Sequence, residues 1–382
     1  MKKRLLFIST IFPSPINTNQ ASFSMQQISA LKEYFDIDVI TPIPWYLKLS
    51  KQIPFKNSIN EIITHNPPYY YTSRILRSYY GHFYYASIKN CAYRLIQEKK
   101  HDIIYSSWLY PDGWASAKIA RKFGMPLFIW AIGTDANRLK KNSAIADKTL
   151  AAIDYSNKTI CASNALRDKL VSIGGSSDKL IVLYNGVNRE IFHEMDKNII
   201  RNQLGLMATD KLILFVGNLL ITKGLNELID AFNTISKCSQ VKDIKLILAG
   251  SGPYESALKG KISAAGLSEQ VIFKGSCTLP VVAKLMNAVD VVCLPSHTEG
   301  LPNVVLEALC CNAKVVATDV GGIPELRHHK NLYLVPSQNS IKLADMLERV
   351  LDSKYYEDSL DDIFSWKEHA RKLAEILQYG SK

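Results

Sequence analysis

The strongest constraint on how this chain can fold is a rhythm. Short runs of β-branched and aliphatic residues alternate with stretches of helix length, in two series along 382 residues. The first series reads Arg4 to Ser9, a helical pattern from Ala21 to Tyr34, then Asp38 to Thr41. After a tyrosine-rich segment it resumes at Asp102 to Ser106, Pro126 to Ile132, Lys158 to Cys161 and Leu180 to Tyr184, with helical patterns near 112–123 and 163–172. Strands that alternate with helices pair in parallel, because the chain must cross over the sheet before it returns. The rhythm breaks at Asn185-Gly186-Val187-Asn188, whose turn chemistry opens a polar stretch reaching about Asp210. That stretch is expected to link two domains. The second series follows at Leu212 to Val216, Ile244 to Ala249, Val271 to Phe273, Asp290 to Leu294, Lys314 to Ala317 and Leu332 to Val335. Two Rossmann-like, doubly wound α/β domains are the simplest account, one over 1–187 and one over 188–363.

Composition agrees, with 47% hydrophobic and 21% charged residues in a chain longer than one core usually spans. No window approaches the roughly 18 apolar residues that a spanning helix needs, so a soluble or peripheral protein is expected. Met1-Lys2-Lys3-Arg4 followed by Leu5 to Phe12 imitates a signal peptide, but Ser9 and Thr10 interrupt it and no cleavage site follows. A first buried strand fits better. The seven cysteines include no Cys-x-x-Cys pair, which argues against a disulfide framework or zinc site and for a reducing, cytoplasmic setting.

The formal charge of +11 is concentrated. Residues 45–100 hold Lys48, Lys51, Lys56, Arg74, Arg77, Lys89, Arg94, Lys99 and Lys100 against Glu61 and Glu98, with tyrosines interleaved (among them Tyr69, Tyr70, Tyr71, Tyr79, Tyr80, Tyr84, Tyr85 and Tyr93). Such a segment suits an anionic membrane surface. It suits equally a solvated basic face whose aromatics lie in the core. Nucleic acid would match the charge, but no recognised nucleic-acid-binding module appears.

Ligands of doubly wound sheets bind beyond the carboxyl ends of the strands, so those turns carry the chemistry. Gly217-Asn218-Leu219-Leu220-Ile221-Thr222-Lys223-Gly224 sets an ammonium near a helix start, an anion site in form. Gly250-Ser251-Gly252-Pro253-Tyr254-Glu255 begins like a dinucleotide fingerprint but places Glu255 where the third glycine belongs, which argues against nicotinamide binding. After Asp290 to Leu294 comes Pro295 to Ala308, in which Pro302 is expected in the first helical turn and the amides of Gly300 to Val304 face a ligand. Glu307 interrupts an apolar run, where a carboxylate wants hydroxyls or a cation.

The run Pro295 to Glu325, with Glu299 and Glu307 spaced as Glu-x7-Glu, then Val315-Val316-Ala317-Thr318 and Gly321-Gly322-Ile323-Pro324-Glu325, resembles the donor site of the retaining glycosyltransferases of family four (glycosyl transferases group 1), which have the GT-B fold. Trp108-x-Tyr110-Pro111-Asp112-Gly113 and Gly133-Thr134-Asp135-x-Asn137 are similar to members that build bacterial surface polysaccharides, the teichuronic acid transferases among them. The resemblance implies a cleft between the domains and a donor that is a UDP- or GDP-linked sugar, with neither metal nor resident cofactor. It also implies a lipid-linked or oligosaccharide acceptor met at the inner face of the cell membrane, and a carboxy-terminal helix over 364–382 that packs back on the first domain. In this reading Glu307 holds the ribose hydroxyls, and Glu299 contacts the transferred sugar. Lys223 neutralises the leaving group, and Asp135 joins them as catalytic. The amides around Gly300, Leu301, Asn303 and Val304 take the diphosphate, and Gly217, Asn218, Gly250 and Gly275 complete the donor contacts.

Some positions depart from that pattern. Asn218 stands where arginine is frequent, Ile132 precedes Gly133-Thr134-Asp135 in place of histidine or arginine, Asn312 replaces a common glycine, and Asn19-Gln20-Ala21-Ser22-Phe23 occupies the place of a glycine-rich loop. A divergent subfamily accounts for them. Two other readings stay open: a metal-dependent transferase using Asp36-Ile37-Asp38, whose alternation is expected to set both acids on one solvated face, and an inactive subunit that binds a sugar nucleotide.

Overall fold

A computed structural model describes residues 2–16, 21–70, 79–237, 243–353, 356–358 and 360–380. The chain divides into two compact units, Met1–Asn185 with Trp366–Lys382, and Gly186–Ser365. Arg74, Arg77 and Tyr71 lie outside the described residues.

Among the described residues, ten strands build the first unit: β1 Lys3–Ile8, β2 Phe35–Ile40, β3 Ile43–Pro44, β4 Lys56–Ile59, β5 Ile62–His65, β6 Pro68–Tyr69, β7 Ile103–Ser107, β8 Leu127–Ala131, β9 Lys158–Cys161 and β10 Leu180–Val182. Eight form one sheet in the order β10-β9-β8-β7-β1-β2-β5-β4, parallel except for β4, while β3 and β6 pair separately. Successive side chains of a strand leave by opposite faces, and β1 displays this fully. Leu5 and Phe7 enter a core with Phe35, Tyr105, Trp130 and the helix Ser22–Leu31. Leu6 and Ile8 enter another beneath the helices Tyr80–Lys99, Trp114–Phe123 and Asn164–Ser172.

The helix Trp366–Tyr379 lies on the first of these faces through Ala370, Leu373, Ala374 and Leu377. His369 pins it there. Gln27 Nε2 lies 2.8 Å from its Nε2, and its Nδ1 lies 2.7 Å from the Tyr184 carbonyl. That pattern makes Nδ1 the donor, and burial holds the neutral ring down to about 4.

The tyrosine-rich segment holds more structure than its composition announces. β4 and β5 form a hairpin whose central residues, Asn60 and Glu61, both have positive φ (47° and 62°), the requirement of a type I′ turn. Its tyrosines divide: Tyr84 is buried in the core and Tyr69, Tyr85 and Tyr93 pack against it, whereas Tyr70 and Tyr79 are exposed. Two of its lysines are committed. Lys48 donates to the carbonyls of Ile53, Pro54 and Asn66, and Lys99 pairs with Asp38.

The second unit contains β11 Lys211–Val216, β12 Ile244–Ala249, β13 Val271–Gly275, β14 Val291–Leu294, β15 Val315–Thr318 and β16 Leu332–Val335, all parallel in the order β13-β12-β11-β14-β15-β16. The polar stretch before β11 is not a linker. Asp196 accepts from the Ile199 amide to start the helix Lys197–Leu204, and Gly205, with φ 66°, ends it. Buried Arg201 ties this helix down by donating to the carbonyls of Ala208 and Ala288 and to Asp290. The divide falls after Asn185, two residues ahead of the expected boundary, because the Val187 amide donates to Phe364 of the second unit.

Candidate functional site

In the second sheet the strand order reverses between β11 and β14, so the turns that leave these neighbours diverge and open a crevice at their carboxyl ends. The turn after β11 runs from Gly217 to Gly224, and the turn after β14 from Pro295 to Pro302. Gly224 shows why glycine is needed there. Its φ is 67°, and a Cβ would lie 1.8 Å from the Pro295 carbonyl oxygen.

Gly250 does a different task from the one its sequence motif advertises. A Cβ on it would meet the Gly217 carbonyl at 1.8 Å, and its amide donates to the Gly275 carbonyl at 2.7 Å. The glycines of the β11, β12 and β13 turns therefore bring three backbones together. Asn218 is exposed at the edge of this cradle.

The helix after β14 runs Asn303–Cys310, and Pro302 is its N-cap (φ −74°, ψ 125°), one residue earlier than the sequence suggests. No side chain caps this end, and Gly300 and buried Leu301 lead into it. The Gly300 carbonyl accepts from Gly322, while Gly321 approaches so closely that a Cβ would lie 2.1 Å from the Glu299 carbonyl oxygen. One turn into the helix, Glu307 is 7% exposed among Val305, Leu306, Ala308 and Leu309. No described side chain or amide bonds its carboxylate, and burial pushes it up to about 7.

Lys223 and Glu299 come from different turns and meet as an ion pair of 2.6 Å, with side chains 24% and 11% exposed. Lys223 ends the short 3₁₀ turn Ile221–Lys223. The sequence names both residues but not their pairing. It also misses a second bridge: His297 Nε2 lies 3.0 Å from Glu227 Oε1, and the His297 amide donates to the Thr222 carbonyl at 2.9 Å. The available signal was a histidine two residues before Glu299 and an acid in the first turn of the helix Leu225–Ser236. Thr318 Oγ1 donates to the Ser296 carbonyl at 2.6 Å and fixes the β14 turn from beside it. Asn312, where glycine is common, adopts φ 55°, which asparagine tolerates.

In the first unit the reversal lies between β1 and β7. There Asp112, wholly buried, accepts from the Thr10 amide (2.6 Å), Thr10 Oγ1 (2.9 Å) and Tyr84 Oη (2.7 Å), yet burial still pushes it up to about 7. Asp135 is also buried, with Oδ1 accepting from the amides of Ile132 and Gly133 and Oδ2 from that of Leu109. Its oxygens hold the β8 turn against the β7 turn. Asp36 and Asp38 share a face of β2, but that face is solvated only at Asp36. Asp36 is exposed, whereas Asp38 is buried among His65, His101 and Lys99; burial opposes its charge, but those three donors outweigh it and hold the carboxyl far below its usual range. Both side chains leave β2 by the same face, and that face is covered at Asp38 by His65, His101 and the helix Tyr80–Lys99 but open at Asp36, nearer the start of the strand.

Among the described residues, His328, His329 and Asp361 have ligand atoms within 4.8 Å of one another, and two of the three are exposed. No described helix is long and apolar enough to cross a membrane.

Residues 196–372 match the family profile of the glycosyl transferases group 1, and residues 55–191 that of glycosyltransferase family 4. The chain is 30% identical over 302 residues to an uncharacterized glycosyltransferase of Methanocaldococcus jannaschii, covering 73% of this chain and 75% of that one. It is 25% identical over 376 residues to a putative teichuronic acid biosynthesis glycosyltransferase of Bacillus subtilis, covering 94% and 92% respectively. Among solved structures, the Anabaena HepE protein in complex with UDP-glucose superposes with a TM-score of 0.71 at 19% identity, covering 98% of this chain and 95% of that one. Its likeness is one of fold.

Proposed function

The chain belongs to the glycosyl transferases group 1 family, and from that premise we propose that it is a retaining, metal-independent hexosyltransferase. In this reading it moves a sugar from a nucleotide diphosphate to a lipid-linked or oligosaccharide acceptor in surface polysaccharide assembly. The observation that carries the donor assignment is Glu307, a buried carboxylate with no described partner one turn into the helix beyond the switch point. A ribose supplies two adjacent hydroxyl donors, which would stabilise the ionised form that burial opposes. The uridine nucleotide of the Anabaena structure supports UDP as the first base to try.

Breaking the glycosidic bond leaves charge on the diphosphate, and fixed donors aimed there lower the barrier. Lys223 and the amides around Gly300, Leu301, Asn303 and Val304 supply them. Glu299 holds Lys223 before the donor arrives and contacts the transferred sugar, and Gly217, Gly250 and Gly275 shape the cradle. Asp135, its oxygens engaged by amides, acts as a positioning residue rather than a catalytic one. The engagement of Asp38 by two histidines and a lysine supports metal independence, since it leaves Asp36 without a second ligand from that motif. Transfer that stops in a chelator would refute this.

The first unit takes the acceptor, and the exposed aromatic residues near its basic segment support an anionic membrane surface as the meeting place. Trp45 (42% exposed), Leu49 (70%) and Tyr70 (56%) are apolar groups in water, with exposed Lys51 and Lys56 nearby in sequence. Rings and cations together suit the headgroup zone. Co-sedimentation with anionic vesicles at low salt, lost in a Lys51→Gln, Lys56→Gln, Leu49→Ser variant, is the expected result. Equal binding by both proteins would sink it.

Exposed Asn218 supports a second reading, a subunit that binds the donor without transferring it. A panel of nucleotide sugars decides between them, scored by thermal stabilisation and by release of nucleoside diphosphate with an oligosaccharide acceptor. Stabilisation with release supports the transferase, and stabilisation alone the subunit. No stabilisation by any donor refutes both.

A further inference from the structure

We infer that His297 and Glu227 form the positioning pair that sets Lys223 against Glu299. The inference rests on the reading of Lys223 as the cation that meets the diphosphate.

Three rungs cross between the turns after β11 and β14. Thr222 accepts from the His297 amide at 2.9 Å, Glu227 faces the His297 ring at 3.0 Å, and Lys223 pairs with Glu299 at 2.6 Å. His297 contributes to two of the three through different atoms. Its side chain reaches past the 3₁₀ turn to Glu227, in the first turn of the helix that follows. Lys223 stands between Thr222 and Glu227 in sequence, so both sides of its short turn are tied to one residue of the opposite turn. Gly224, with φ 67°, completes the bend.

The pair is not redundant. Glu227 Oε2 is buried with no partner among the described residues, so His297 is the group that satisfies this carboxylate. The two side chains are only 20% and 22% exposed, where removing one partner strands the other. A lysine side chain has four rotatable bonds and loses much freedom when held. Anchoring its backbone on both sides keeps the ammonium aimed in the charge-separated state, when Glu299 is engaged with the sugar. That is a contribution to turnover rather than to ground-state affinity.

The test compares His297→Ala, Glu227→Ala and Glu227→Gln with the parent by two readouts. The first is turnover beside donor affinity. Both alanine variants should lose about tenfold or more in kcat while donor Kd moves less than about threefold, and Glu227→Gln, which still accepts a hydrogen bond, should stay within about threefold of the parent. The second is the rate at which an amine-reactive reagent modifies Lys223, followed by mass spectrometry without donor. Both alanine variants should react several-fold faster, because their Lys223 leaves Glu299 more often. Unchanged labelling, or losses in Kd that match those in kcat, would overturn the inference. A parent that transfers no sugar would remove the functional reading, while the labelling rates still decide the pair. Should His297→Ala fail to fold, the Glu227→Ala and Glu227→Gln contrast carries the same decision.

Discussion

Replacing Glu307 by glutamine should strengthen the fold and weaken donor binding together. Burial raises this carboxyl from 4.5 to about 7, a difference of 2.5 pH units that corresponds to about 3 kcal/mol. The sign follows from linkage. Between pH 4.5 and 7 the folded chain holds a proton that the unfolded chain has released, so stability is fully present below 4.5 and lost as pH rises through 7. Glutamine keeps the shape and removes the titration. At pH 8 the donor-free variant should exceed the parent by up to about 3 kcal/mol, about 6 to 10 °C in the melting of the second unit, and the two should converge below pH 4.5. Donor binding moves the other way. The amide offers one weaker acceptor to two hydroxyls, so Kd should rise about tenfold to a hundredfold at pH 8. Parent Kd should itself rise as pH falls below 7, because bound hydroxyls favour the ionised form, while the variant stays flat. Thermal scans and calorimetry across pH 4 to 8 measure both. No gain at pH 8 would mean that the carboxylate is not desolvated, and equal affinity would end the ribose assignment.

Lys223→Met should depress kcat by about a hundredfold and raise donor Kd much less, since the lost cation acts on charge that develops during reaction; equal losses in the two constants would contradict this. Gly224→Ala should lower urea stability by about 2 to 4 kcal/mol, because a left-handed φ and a contact of 1.8 Å with the Pro295 carbonyl must both be relieved; an unchanged midpoint would refute the close approach. In the first unit, neutral His369 sits at about 4 against 6.5 for a free ring, so stability is present above 6.5 and falls as pH drops toward 4, by about 3 kcal/mol in total. His369→Asn should shrink the difference between urea midpoints at pH 7 and pH 4.5, and a variant as acid-sensitive as the parent would assign the loss elsewhere.

Much of the architecture was legible in the chain because a parallel strand buried on both faces is apolar through most of its length. The runs at Lys158–Cys161, Ile244–Ala249 and Leu332–Val335 coincide with strands, the turns after β11 and β14 hold Lys223 and Glu299, and Glu307 lies one turn into the helix that follows β14. Local chemistry that lacked its customary residues was not legible. The Asn60-Glu61 hairpin turns without glycine, and the helix Lys197–Leu204 hides in a polar stretch because its anchor is an arginine rather than an apolar stripe. Which side chains meet was decided by tertiary structure alone. Asp38 and Asp36 lie two residues apart on one strand, yet one is enclosed by His65, Lys99 and His101 from distant segments while the other faces water. Lys223 and Glu299, like Glu227 and His297, are joined only where the sheet reverses its order between β11 and β14. A pattern of apolar residues specifies which elements form and which faces they bury, whereas the contacts of a polar group depend on the register and order of strands far apart in the chain.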